Sequence, residues 1–471
     1  MTMNETERSR MLATMDVRRL LIKLAIPATA AMAFNALYNL VDTFFVARGS
    51  GEIAIGALSI AYPIHMIVLA IGIMIGIGSS SVFSRAYGRG DKQSMRKAVN
   101  NALMLNVSIT MTISIFAFIF LDELLLLFGA TESNIGYARD YMGILVFALV
   151  PFSLSIVFNN LTRAEGRPNV AMISLMIGAG LNILLDPFFI FDWGLGMGVS
   201  GAALATGIAK TVSFAFVFVM ALRPESALEI HFPTLHKIDF ALAKEIFQVG
   251  LPSFVRTAMG GVLIVIVNNL INWFATGDPA VYISIYGVIN RLMRFSLMPG
   301  FGLVQGMVPI IGFNFGAELY QRLYDTARFA LKVLFVYFTS VGILVFFFAE
   351  QLFSLFAAEQ GGYFVEHGGM AFRIVALGFS MVTFQVIVSS VYQAMGYPLR
   401  AFIIAISRRF LVFVPVALIL TPIFGVMGIW ATFAITDILT GSIGLAFLLN
   451  EFKNLRQKII DHPAPQPTDA T

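Results

Sequence analysis

Long apolar segments alternate with short polar connections from one end of the chain to the other. Each segment holds about 20 or more residues, the length that an α-helix needs to cross about 30 Å of hydrocarbon. The pattern predicts twelve membrane-spanning helices, at 20–48, 53–82, 98–121, 138–162, 169–191, 197–221, 246–275, 281–312, 328–349, 370–394, 400–422 and 426–449. The expected fold is an all-α polytopic membrane protein.

Composition supports this interpretation and excludes several classes of protein. Of the 471 residues, 58% are hydrophobic and only 12% are charged, too few charges for a soluble domain of this size. The absence of cysteine excludes disulfides and thiolate metal sites. Nucleotide-binding loops and His/Glu metal motifs are also absent from the sequence, so we predict a protein that is not an enzyme and uses no cofactor.

The basic residues indicate topology. Lys and Arg gather in alternate connections, such as Arg85 to Lys97 after the second span and Arg163 to Arg167 after the fourth. The intervening connections carry acids instead. The positive-inside rule therefore predicts a multi-pass protein of a bacterial inner membrane with both termini cytoplasmic, and the net charge of +4 needs no nucleic-acid partner. The first span is expected to insert uncleaved.

The two halves of the chain resemble each other. A shift of 228 residues superposes four glycines on four others, and a shift of 230 superposes RAEGRPNVAM on QAMGYPLRAF. Each half contains an even number of spans, six, so the predicted repeats are parallel and related by an axis along the membrane normal. The predicted domain organisation is a cytoplasmic N-terminal segment (1–18), an N-terminal lobe (19–221), a cytoplasmic linker (222–245), a C-terminal lobe (246–450) and a cytoplasmic, disordered tail (451–471).

Two acids lie deep inside apolar segments, Asp42 in LYNLVDTFFVA and Asp186 in LNILLDPFFIF. A carboxylate inside a spanning helix costs roughly 2.5–3.5 kcal/mol on the insertion scale, so such a residue usually marks an ion or proton pathway. Helical spacing places other polar residues on the same faces. These are Asn35, Tyr38 and Asn39 with Asp42, Asn182 with Asp186, Ser155 with Asn159 on span four, Tyr141 near the outer end of that span, and Thr206 on span six.

Such a set allows two interpretations. The polar residues make structural hydrogen bonds between helices, or they converge on a buried site for a cation. Two carboxylates in a pocket of low dielectric constant can share a proton, and carboxylate, amide and hydroxyl oxygens also suit Na⁺. The cost of two acids favours the cation site, for either H⁺ or Na⁺. If the ion is Na⁺, its predicted ligands are Asp42, Asn182 and Asp186.

The second half breaks the symmetry of the repeat. In the alignment of the two halves, Asp42 aligns with Leu270 at the shift of 228, and Asp186 aligns with Val416 at the shift of 230. The only acid well inside a span of the second half is Asp437. The spans of this half contain bases instead, namely Arg256, Arg291, Arg294, Arg373, Arg408 and Arg409. These arginines either extend toward water or contact anionic groups of a substrate, and Arg256, Arg291 and Arg294 are the candidates for such contacts.

Prolines occupy matched positions in the two halves, Pro27 early in span one and Pro252 early in span seven. A proline removes a backbone hydrogen bond and bends a membrane helix. The bend is either static or a hinge, and Pro27 is the candidate hinge.

The chain resembles the multidrug and toxic compound extrusion (MATE) family over about 19–450. The resemblance lies in IPATAAMAFNALYNLVDTFFVARGSGEIAIGAL, SRAYGRGD, LTRAEGRP, LNILLDPFFIF, GVSGAALAT and PGFGLVQGMVPIIGFNFGA. It implies twelve helices in two lobes and antiport, in which an organic compound leaves the cell as H⁺ or Na⁺ enters. The family's first-lobe cation site maps onto Asp42, Tyr141, Asn159, Asn182, Asp186 and Thr206. Spans seven and ten lack the carboxylates that some relatives carry there, which favours the branch with its cation site in the N-terminal lobe.

We therefore predict a secondary antiporter that acts as a monomer in the bilayer and exports small organic compounds, expected to be cationic. The alternative is a flippase for a lipid-linked saccharide of the related superfamily, since buried arginines would suit a pyrophosphate group. A channel would not need a desolvated carboxylate pair.

Overall fold

The computed structural model describes residues 3–132, 134–230, 238–356 and 361–461, and the described part of the chain contains helices but no strand. Within helix α2, the side chains of 49–57 and of several neighbours, including Asn39 and Asp42, are not described. The helices are α1 (Glu5–Thr14), α2 (Val17–Arg89), α3 (Lys92–Ile119), α4 (Leu121–Leu127), α5 (Ile135–Leu145), α6 (Leu149–Ala164), α7 (Pro168–Ile190), α8 (Gly198–Ala221), α9 (Phe240–Phe274), α10 (Pro279–Gly316), α11 (Tyr320–Ser354), α12 (Gly361–Ala376), α13 (Phe379–Met395), α14 (Pro398–Ile406), α15 (Phe413–Phe424) and α16 (Val426–Asp461). We call α2–α8 the N-terminal lobe and α9–α16 the C-terminal lobe.

The spans confirm a polytopic all-α membrane protein. Ten helical segments of the described chain are long and apolar enough to cross a membrane, and α12 with α13 forms an eleventh that is bent by 46°. Span four consists of α5 and α6, and span eleven of α14, a π-helical turn at 407–412, and α15. The remaining predicted span, 20–48, lies in the first part of α2.

The sequence predicts a break between the first two spans, but α2 is helical throughout. The chain nevertheless reverses within α2. The segment of α10 from Gly302 to Gly316 is about 21 Å long, yet it contacts both Thr29 and Gly88. A straight helix would separate those two residues by about 89 Å. The two arms of α2 therefore lie side by side, as two separate spans require.

Contacts between the lobes confirm the parallel repeat. Gly88 of α2 packs against the carbonyl of Phe313, and Gly316 of α10 packs against the carbonyl of Arg85. A shift of 228 residues converts the first contact into the second with the two lobes exchanged. Each glycine lets two backbones approach more closely than any Cβ would permit. The two halves are therefore related by a pseudo-two-fold axis.

The matched turns show the same relation. Gly166 and Gly396 have φ angles of 84° and 79°, a left-handed conformation that ends one helix two residues before the proline that begins the next. Gly198 and Gly425, at the other matched turn, have φ angles of 56° and 57°. The glycines of the repeat are therefore required by backbone geometry.

The lobes contact each other at the end of the bundle where residues 222–238 connect them, which we call the linker end. There Arg85 pairs with Glu245 at 2.7 Å and Lys97 with Asp239 at 3.0 Å. The Ser81 hydroxyl donates to the carbonyl of Gln393 at 2.6 Å. The hydrogen bond from Lys97 also holds the pKa of Asp239 below its usual range. All these bonds would have to break for the linker end to open.

Helix α1 adds to this closure. Arg8 donates to the carbonyl of Glu225 in the linker and lies 3.9 Å from Glu165, a fully buried carboxylate that also pairs with Arg167. At the other end of α1, Arg322 of α11 donates to the carbonyls of Leu12 and Met15. Helix α1 therefore bridges the two lobes.

The predicted disordered tail is corrected in part. Helix α16 continues as far as Asp461, where Arg456 donates to the Tyr324 hydroxyl and Glu451 pairs with Arg400. These polar contacts hold the end of the helix against the rest of the protein, and a hydropathy pattern does not detect them. Residues 462–471 and the linker residues 231–237 lie outside the described chain.

Candidate functional site

The structure joins three of the predicted cation-site residues. The Asn182 amide donates to Asp186 Oδ1 and to Thr206 Oγ1, both at 3.1 Å. All three side chains are buried, and that of Asp186 is 0% exposed. Asn182 and Asp186 are one turn apart on α7, so the helix itself aligns them, and the packing of α8 supplies Thr206.

One oxygen of this cluster remains available as an acceptor. Asn182 Oδ1 is buried and accepts no hydrogen bond from the described part of the chain. Leaving a buried amide oxygen without a donor costs about 1–3 kcal/mol. The cluster therefore presents an amide oxygen, a carboxylate and a hydroxyl in a buried region, which is a donor set suited to a hard cation.

An apolar layer shows that α2 joins the same region. Val46 of α2, Ile190 of α7 and Ala202 of α8 form one buried cluster, with Phe45 and Tyr141 packed against it. Each of the three lies four residues from a predicted polar residue, namely Asp42, Asp186 and Thr206. The helices that carry those residues therefore converge one turn away from them, and Tyr141 lies at the edge of the candidate site.

The first arm of α2 is described only in part. The side chains of Asp42 and Asn39 are not described, whereas Tyr38 is buried and Asn35 is half-buried. The Lys210 ammonium lies 4.9 Å from the centre of the Tyr38 ring. This contact places the polar face of the first span against α8, one turn from Thr206.

Asn159 is not brought to this cluster. Its amide donates to Ser155 at 3.3 Å, and Ser155 contacts Ser213, which is bonded to Ser174. Ser213 lies seven residues, about 10 Å, from Thr206 along α8. The assignment of Asn159 to the cation site therefore rests on the family resemblance alone.

Lys210 is a residue that the sequence analysis missed. It is a base in the middle of an apolar span, and its ammonium lies 5.3 Å from the Phe152 ring, on which His65 stacks at 4.4 Å. A lone lysine in GIAKTVSFAFVFV was the available signal, because a basic residue at that depth is as costly as an acid.

The predicted arginines of the C-terminal lobe are brought partly together. Arg294 lines a cavity with Arg408 and Arg409, and Arg291 lines an adjoining one. Arg256 donates to Ser253 at 3.1 Å and is near enough to Arg409 for their charges to repel. Arg408 forms a two-point ion pair with Asp437 at 2.6 and 3.0 Å.

Pro27 lies where the first arm of α2 packs most tightly on α10. Ala25 contacts Gly306 and Thr29 contacts Gly302, one on each side of the proline. Because proline cannot donate a backbone hydrogen bond, the helix is weakest at this interface between the lobes. A bend at Pro27 would change the packing of the lobes directly.

Comparisons with known proteins agree with the fold and with the repeat. The MatE family model matches residues 27–188 and again 257–419, so each half carries one copy. The multidrug export protein MepA of Staphylococcus aureus (strain MRSA252) is 25% identical over 417 residues, which cover 88% of this chain and 90% of MepA. MepA of Staphylococcus haemolyticus is 26% identical over 419 residues, with the same coverage of both chains.

Solved structures have the same architecture. An outward-facing multidrug resistance MATE family transporter of the MOP superfamily superposes with a TM-score of 0.87 at 24% identity, covering 95% of this chain and 98% of that one. A MATE crystal structure in the bent conformation gives 0.86 at 25% identity, covering 96% and 98%. The repeated spans, the reciprocal glycine contacts and the two matches of the family model lead to one conclusion: the chain belongs to the MatE family of multidrug efflux transporters and is a multi-pass membrane transporter, not an enzyme.

Proposed function

We propose that the protein is an antiporter that exports organic compounds, cationic ones above all, in exchange for H⁺ or Na⁺ entering the cell. The observation that carries the proposal is the buried Asn182–Asp186–Thr206 cluster. The coupling ion would bind at Asp42, Asn182 and Asp186, with Thr206 and Tyr141 beside it. Asn159 stays in the proposed cation-coupling set on the family resemblance, and Asn35, Tyr38 and Asn39 are the supporting polar residues. Either ion suits this set, because a buried carboxylate can accept a proton and its oxygens can ligate Na⁺.

Coupling would follow from a change in the relative position of the lobes. The close contacts at the linker end seal the bundle there, so in this state the cleft would open only at the opposite end, through which an exported substrate would leave. We propose that the linker end is cytoplasmic, with both termini, and that Pro27 acts as the hinge. A cation can drive this exchange only if it binds one state more tightly than the other.

The proposed organisation follows the repeat. Residues 19–221 and 246–450 form the two lobes, 222–245 links them, and one chain provides both walls of the cleft. The protein would therefore act as a monomer. The alternative, a flippase for a lipid-linked saccharide of the related superfamily, differs from the antiporter in its substrate.

The test uses proteoliposomes loaded with ethidium, a fluorescent organic cation, under an imposed pH gradient or an imposed Na⁺ gradient. We expect one of the two gradients to drive ethidium transport against its own concentration gradient, which names the coupling ion. Equal movement with and without a gradient would contradict antiport. Protein-free liposomes provide the control for leakage.

A further inference from the structure

We propose that a cavity in the C-terminal lobe binds the anionic group of an amphipathic organic compound, with Arg409 and Arg294 as the residues that hold the anion. The site lies apart from the cation cluster of the N-terminal lobe. The proposal extends the substrate class of the proposed exporter to compounds that carry a carboxylate or phosphate on an apolar body. Its binding step requires no ion gradient.

The cavity lies between α9, α10, the π-helical turn 407–412 and α16, with a volume of about 190 Å³. A second cavity of about 320 Å³ adjoins it and shares Ile264, Tyr286, Asn290 and Arg294. Aromatic and aliphatic side chains form most of the first cavity's wall: Leu263, Ile264, Leu297, Phe301, Phe413 and Phe433. Apolar walls with a few converging polar groups are typical of sites for small organic molecules.

The charges around the cavity do not balance. Asp437 is paired with Arg408 and is the only carboxylate among the described residues that line it. No described carboxylate lies within 4.0 Å of Arg294 or Arg409. Arg409 is also repelled by Arg256, Arg294 and Arg408. A bound anion would relieve this repulsion, which gives the site a physical reason to prefer one.

A buried hydroxyl group supports the same conclusion. Thr436 lines the cavity, is 2% exposed, and its Oγ1 has no hydrogen-bond partner in the described chain. On the facing helix, Tyr286 and Asn290 also line the cavity. Hydroxyl and amide groups can donate to an anion alongside the guanidinium groups.

The local fold explains how two consecutive arginines reach different partners. The π-helical turn spans Ser407–Val412 and interrupts the α-helical phase of span eleven. Arg408 thereby meets Asp437 of α16, while Arg409 lies against α9 at Gly260, where a Cβ would stand 3.1 Å from its Nη1. Such π-helical insertions occur frequently at functional sites. The missing side chain at Gly260 leaves room for the guanidinium.

The chemistry of the ligand follows from the guanidinium group. Arginine binds carboxylate and phosphate with two parallel hydrogen bonds, a geometry that neither lysine nor a neutral residue reproduces. The aromatic walls favour a flat apolar body attached to that anion. A free organic anion and the headgroup of an anionic lipid share this chemistry, so the experiment must separate them.

The test measures binding of dansylglycine, a fluorescent carboxylate, to the purified full-length protein in detergent without any gradient. Dansylamide has the same apolar body without the carboxylate. We expect dansylglycine to bind and dansylamide to bind at least about tenfold more weakly, the difference expected for one charge-assisted hydrogen bond. Arg409→Gln and, as a second and exposed position, Arg294→Gln should each weaken dansylglycine binding by a similar factor.

Arg373→Gln is the matched control, because Arg373 pairs with Glu350 outside the cavity. It should leave the affinity unchanged. Equal affinity for the two probes, or unchanged affinity in both cavity variants, would overturn the proposal. Displacement of the probe by phosphatidylglycerol, but not by phosphatidylcholine, would assign the anion to a lipid. Displacement by benzoate alone would assign it to a soluble compound.

This experiment fails separately from the antiport experiment. Ethidium export driven by a gradient, with no binding of dansylglycine, would remove the anion site and leave the proposed function intact. Dansylglycine binding that depends on Arg409, with no gradient-driven export, would leave the anion site and remove the antiport mechanism.

Discussion

Replacing Asp186 with asparagine is expected to reduce gradient-driven export of ethidium to the level of protein-free liposomes. Asparagine has nearly the same shape and can keep a hydrogen bond with Asn182. It carries no negative charge, however, and can neither accept a proton at neutral pH nor neutralise a bound Na⁺. Because the side chain is fully buried, water cannot compensate for the lost negative charge.

Asp192→Asn is the matched control, since Asp192 lies just beyond the end of α7 and is exposed. Export should be unchanged in that variant. Asp42→Asn is expected to behave as Asp186→Asn does, which would also place Asp42 in the site functionally. Full export by Asp186→Asn, with normal protein yield, would show that the buried carboxylate is structural.

A disulfide between the lobes at the linker end is expected to stop transport completely and reversibly. The natural chain has no cysteine, so an introduced pair forms without competition. An ideal Cβ at Gly312 lies 2.7 Å from Cβ of Ser84, so Ser84→Cys with Gly312→Cys needs about 1 Å of adjustment to reach disulfide geometry. Oxidation should hold the linker end closed, and reduction should restore ethidium export in the same sample.

The control pair lies within one lobe. Gly178→Cys with Ser213→Cys joins α7 to α8, where the ideal Cβ at Gly178 stands 3.2 Å from Cβ of Ser213. Oxidation of this pair should leave the transport rate close to its reduced value. Continued transport by the oxidised Ser84/Gly312 variant would show that the linker end need not open, which contradicts alternating access.

The features that sequence predicted best depend on local geometry. Asn182 and Asp186 were expected on one face because residues four apart on a helix always share a face. The matched glycines were visible as an internal repeat, and their structural reason is now clear at Gly88 and Gly316, where the two lobes touch. Hydropathy likewise gave the number of spans, since bilayer thickness fixes the length of each one.

What sequence could not supply is the register between helices. Periodicity places Asn159 on a polar face but not at a depth, and the structure puts it beside Ser155 rather than at Asp186. The pairing of Arg408 with Asp437 spans 29 residues and depends on a π-helical turn that shifts the helical phase. Lys210 could have been noticed, because its charge in an apolar span is as unusual as that of Asp186.

The central claim is that binding of a cation at Asp186 weakens binding of the organic substrate, and the reverse. The most direct test measures the dissociation constant of ethidium for the purified protein, first with and without Na⁺ at constant pH and then at low and high pH. The account predicts that one of these cations weakens ethidium binding about 5–150-fold, the usual range for coupled sites, and that Asp186→Asn abolishes the effect. An ethidium affinity that neither Na⁺ nor pH alters, or an effect that survives in Asp186→Asn, would contradict it.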